Sequence, residues 1–110
     1  MAPKDSTNNQ YENIIISIAN VIVEQTDGVA SLAGETKSLF KKRSGKNSGI
    51  QIFIYDQSVT IDISINVYYG YKVPELAYSI QKKLQEEIER STKFKVRTVN
   101  VNVVGVVFTS

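Results

Sequence analysis

The chain has 110 residues, 42% hydrophobic and 22% charged, an ordinary globular balance for a single domain. It contains neither cysteine nor histidine, and its formal net charge is only +2. Those absences exclude a disulfide framework, thiolate catalysis, Ser-His-Asp and Cys-His arrangements, and the usual nitrogen and sulfur ligands of transition metals. The mild charge removes any global polycation argument for nucleic acid.

Residues 1–9 are polar and read as a disordered tail, followed by a single domain over 10–108. Asn9-Gln10-Tyr11-Glu12 has the spacing of a capping box and opens a predicted helix running to about Asp27. Tyr11, Ile14, Ile15, Ile18, Val21, Ile22 and Gln25 supply the expected core face. Gly28 then ends the helix, because it tolerates the left-handed conformation. The polar stripe of this helix, Asn13, Ser17, Asn20 and Glu24, is narrow. Ile16, Ala19 and Val23 therefore lie outside the expected core face. They are either core in a deeply sunk helix or an exposed ridge that contacts another protein.

Ser31 to Gly49 reads as a loop, with a short helical turn expected at Thr36 to Phe40. Lys37, Lys41, Lys42, Arg43 and Lys46 cluster there, and the segment is either a solvated loop or a contact for anionic lipid or phosphate. Beyond it, period-two alternation appears twice, at Ile50 to Tyr55 and at Val59 to Tyr68, on either side of Asp56-Gln57. This is a hairpin whose parity pairs Ile54 with Val59, Ile52 with Ile61 and Ile50 with Ile63. Val73-Pro74-Glu75 starts a second helix, with Val73, Leu76, Ala77, Ile80, Leu84 and Ile88 on its core stripe. On its solvent side Lys82 pairs with Glu86, and Lys83 with Glu87. Lys93 to Phe108 forms the last strand, with valines and Asn/Thr alternating.

The order helix-strand-strand-helix-strand predicts an α+β fold: a three-stranded mixed sheet with both helices on one face. The last strand runs parallel to the second strand of the hairpin, because a helix connects them. The opposite sheet face is left bare. Phe53, Tyr55, Tyr68, Asn100 and Asn102 share it with Thr60, Asp62, Ser64, Asn66 and Thr98. A neutral Asn/Thr/Tyr face suits protein contact better than nucleic acid, which needs cations beside its stacking aromatics. Asp62 is the only strand acid after the turn, and no second carboxylate is placed beside it, so no acid–base pair is expected. No cofactor or metal site is expected, and no catalytic residue.

The second half of the chain resembles the alkaline shock, or Gram-positive envelope stress response, protein family. The matching segments are Tyr69-Gly70, Val73-Pro74, Ile80-Gln81, Ile88-Glu89 and the closing Val99-Asn100-Val101-Asn102-Val103-Val104-Gly105-Val106. Gly28-Val29 and Gly49-Ile50 fit in the first half. One departure is Thr92-Lys93, where the family often has Thr-Gly. The resemblance implies a small cytoplasmic protein without known catalytic activity, acting in stress response and cell-envelope homeostasis. Some members are held at the membrane by a partner protein, and others are linked to fatty-acid metabolism. The expected function is therefore a non-enzymatic interaction domain whose partner is itself, as an oligomer, or another envelope-associated protein, including a membrane-anchored one. The alternative is a weak nucleic-acid or anionic-lipid module built on the basic loop, which steep weakening by salt would reveal. No stretch approaches the ~20 apolar residues of a membrane-spanning helix, and Met1 to Gln10 lacks the apolar run of a secretory signal.

Overall fold

The computed structural model describes residues 3–33 and 49–109. Its elements are α1 (Pro3–Gln25), β1 (Val29–Leu32), β2 (Ile50–Tyr55), β3 (Ser58–Tyr68), α2 (Val73–Ser91) and β4 (Lys95–Val107). The α+β class stands, and both helices cover the same face of a mixed sheet. Two boundaries differ from expectation. The helix begins at Pro3, so the capping box at Asn9 lies inside it. The sheet has four strands instead of three, because Val29–Leu32 joins it. Four residues with a register shift between Val29 and Ser31 are too short to show the alternation that marks a strand.

β3 is the central lane. The hairpin register is the expected one, with Ile50 opposite Ile63, Ile52 opposite Ile61 and Ile54 opposite Val59. Asp56 takes φ 59° in the turn, a left-handed conformation that Asp adopts more readily than most residues. β1 continues the lane of β2 along the same edge of β3, pairing Leu32 with Ile65 and Val29 with Val67. The two meet at Ser64, whose amide donates to the Gly49 carbonyl while its carbonyl accepts from the Ala33 amide, both at 2.8 Å. The chain thus leaves the sheet at Ala33 and returns to the same point at Gly49. Parallel to β3 on its other side, β4 places Val99 opposite Ile61, Val101 opposite Ile63 and Val103 opposite Ile65.

Alternation on β3 produces the core. Val59, Ile61, Ile63, Ile65 and Val67 are fully buried beneath the helices, and their even-numbered neighbours face the open side. α2 contributes Leu76, Ile80, Leu84 and Ile88, spaced four apart, which lays one apolar stripe along the sheet. Pro74 sits in its first turn. At its other end Thr92 closes the helix, its amide and hydroxyl both donating to the Ile88 carbonyl at 2.9 and 2.8 Å. Phe94 then packs edge-on against Tyr11 at 5.0 Å, joining the α2–β4 turn to α1. Of the two expected ion pairs on α2, Lys82–Glu86 forms at 3.6 Å. Glu87 instead bonds Arg90, and Lys83 lines the cleft between the helices.

Candidate functional site

The helices occupy one face of the sheet, and among the described residues no element covers the other. Its rows follow from the register: Phe53, Thr60 and Thr98; Gln51, Asp62 and Asn100; Ser64 and Asn102; Asn66 and Gly105. Phe53 is 52% exposed and Tyr55 80% exposed, and Asn100 and Asn102 are exposed beside them. Tyr68 lies half-buried at the far end of the same face, its amide donating to the Gly28 carbonyl at 2.8 Å. The five residues expected on this face are all there. Their surroundings are polar but ordered: Asn100 Nδ2 donates to Asp62 Oδ1 at 2.5 Å, and Asn66 Nδ2 to Ser31 Oγ at 3.1 Å. Asp62 thus has an amide on either side and no carboxylate in its row.

The α1 ridge is a correction. Ala19 and Val23 are in the core, Val23 only 1% exposed, and Ile16 is half-buried at its margin. The buried line is Ile15, Ala19, Ile22, Val23 and Thr26, about a quarter turn from the expected one. Thr26 satisfies its hydroxyl on the Ile22 carbonyl at 2.7 Å. The rotation leaves Ile14 and Val21 exposed instead. Val21, with Ile18, borders a cleft of ≈ 570 Å³ between the helices, closed on the α2 side by Lys83, Glu86 and Glu87. Sequence reasoning missed this surface, because an apolar helix with so narrow a polar stripe fits the core in more than one rotation.

Lys37, Lys41, Lys42, Arg43 and Lys46, with the turn expected at Thr36 to Phe40, lie outside the described residues. Among the described residues no cluster of His, Cys, Asp or Glu is placed to hold a metal ion, and no helix is long and apolar enough to cross a membrane.

A family model for alkaline shock proteins, described by a cell envelope-related function, matches residues 3–108. The chain belongs to that family. Among its relatives, YqhY of Bacillus subtilis (strain 168) is 28% identical over 98 residues, covering 86% of this chain and 73% of YqhY. A stress response regulator gls24 homolog of Streptococcus pyogenes serotype M3 is 26% identical over 99 residues, and the match covers 86% of this chain but only 55% of that protein. The chain is thus related to proteins named for stress response within an envelope-related family. Solved structures of MamM CTD, one of them a copper form, superpose with a TM-score of 0.52 over 86% of this chain, at 12–13% identity. They cover 96% of the MamM CTD chain. At that identity the likeness is one of fold.

Proposed function

We propose that this alkaline shock family chain is a non-enzymatic docking domain that works by protein association in cell-envelope homeostasis. The open sheet face is its contact surface, and a membrane-anchored or otherwise envelope-associated protein on the cytoplasmic side is the partner. The observation that carries this reading is the pair Phe53 and Tyr55, exposed side by side on β2 beside an amide and hydroxyl lattice whose one acid, Asp62, is bonded by Asn100. Exposed aromatics on a rigid sheet are strong anchors, since they bring large contact area at small entropic cost. The lattice around them supplies hydrogen-bond donors and acceptors, and its one charge, on Asp62, is negative, which suits a protein surface better than a phosphate backbone.

Replacing both aromatics tests it. The variant Phe53→Ser with Tyr55→Ser should melt close to the wild type, because both side chains are exposed. It should capture the envelope partner from native membrane extract at least ~10-fold more weakly, as loss of a central aromatic anchor requires. Retention by the wild type should persist in high salt, since no ion pairs hold this face. Equal capture by variant and wild type would remove the open face from consideration. Hydrolase or transferase turnover that disappears in Asp62→Asn would overturn the non-enzymatic reading.

A further inference from the structure

β4 is an edge strand thirteen residues long, and its outer edge is treated differently along its length. Near its start α2 reaches over the edge: Glu89 Oε2 accepts from the Val96 amide at 2.9 Å, and Gln81 Nε2 donates to the Val99 carbonyl at 3.0 Å. These side chains occupy backbone groups that a neighbouring strand would otherwise take. Among the described residues no side chain does so beyond Val99. From Thr98 to Ser110 the sequence has no charge and no proline, the two commonest protections of a free edge. Among the described residues of this stretch the only irregularity is the bulge between Val103 and Gly105. The opposite edge is protected, because β1 and β2 are short and the chain departs between them at Ala33 and Gly49.

The open half of this edge is also apolar. Val104 and Val106 are 58% and 52% exposed, and Phe108 stacks at 4.9 Å on exposed Tyr69. The α2 stripe that faces the edge is marked by Gln81 and Glu89. Three residues before Gln81 it carries Tyr78, exposed above the uncapped part of β4.

We infer that this half of β4 pairs with β4 of a second copy of the chain, antiparallel across a two-fold axis near Asn102. The segment is complementary to itself in that arrangement. Val101 of one copy faces Val103 of the other on the helix side, and Asn102 faces Asn102 on the open side, where two amides donate to and accept from each other. An uncharged strand meets its copy without like-charge opposition. The one acid on the α2 stripe, Glu89, lies at the capped end, far from the axis, so the two copies of it stay apart. Tyr78 of each copy comes closest to the axis and covers the valines. Both sheets then form one continuous layer with the four helices on one side, and Phe53 and Tyr55 remain free, so the inference stands apart from the docking role of the open face.

Light scattering of the wild type should return twice the chain mass, and a monomer at millimolar concentration would overturn the inference. Val104→Lys with Val106→Lys should stay folded by circular dichroism and fall to the monomer; a folded variant that remains dimeric also overturns it. Because the chain has no cysteine, Asn102→Cys can oxidise only between copies, and it should cross-link to near completion. Should the lysine variant unfold, this cross-link decides alone, and its absence overturns the inference. Lys83→Cys, facing the cleft, should not cross-link, and Val21→Lys should leave the dimer intact. The opposite result in either control would move the contact to the helices. Phe53→Ser with Tyr55→Ser should remain dimeric whether or not it loses its partner.

Discussion

Val23→Lys should unfold the domain, or leave it destabilised by more than ~4 kcal/mol, whereas Val21→Lys should change stability by less than ~0.5 kcal/mol. The two residues are two positions apart on α1 and equally apolar. Val23 is 1% exposed and packed among Ile15, Ala19 and Ile22 over the sheet, while Val21 is 50% exposed beside the interhelical cleft. A lysine at 23 must place its ammonium among isoleucines with no carboxylate to pair it, or push the helix off β1 and β2. At 21 the stem lies along the surface and the ammonium stays in water near Glu86 and Glu87, which line the same cleft. Urea denaturation of both variants measures the contrast. The reverse order, with Val21→Lys the damaging change and Val23→Lys tolerated, would mean that α1 sits in the rotation its sequence periodicity first suggests.

That contrast also shows where the sequence was legible. β2 and β3 each have a strict alternation of isoleucine or valine with polar residues, so a slip of one residue would expose every large side chain, and only one register survives. The open face follows directly from it, since Phe53, Thr60 and Asp62 share parity with the polar set. α2 was legible for the same reason: one apolar stripe against a charged remainder leaves a single rotation. α1 has no such contrast. Ile14, Ile15, Ile16, Ile18 and Val23 offer several apolar arcs, and the choice among them is made by β1 and β2, which meet the helix only in three dimensions. β1 itself was hidden because Val-Ala-Ser-Leu is too short to carry a period. The edge bonds of Glu89 and Gln81 were hidden as well: eight residues apart, they share one side of α2, but nothing in the sequence says that β4 lies below that side.

Gly49→Ala should lower stability by roughly 2–3 kcal/mol, the second large effect, without touching a single side-chain contact. Gly49 has φ +91°, where a β-carbon is strained, and it stands where β1 hands over to β2 along the edge of β3. A β-carbon there would lie 2.7 Å from the Ala33 carbonyl oxygen and 3.0 Å from that of Ser64. Both are backbone atoms, that of Ser64 bound by the Ala33 amide, so neither can swing aside as a flexible side chain would. Relief has to come from breaking one of the two hydrogen bonds at Ser64, which detaches either the end of β1 or the start of β2. The variant should therefore lose amide-exchange protection first at Ala33 and Ser64, while the β3–β4 pairing at Ile61 and Val99 keeps its protection. Gly70 is the control: its φ is +102°, but nothing lies within 4 Å of a β-carbon there, so Gly70→Ala carries the strain without the collision. Gly49→Ala should then be the more damaging of the two. Equal losses at the two positions would show that backbone strain alone sets the cost, and that β1 and β2 do not meet as tightly at Ser64 as this register requires.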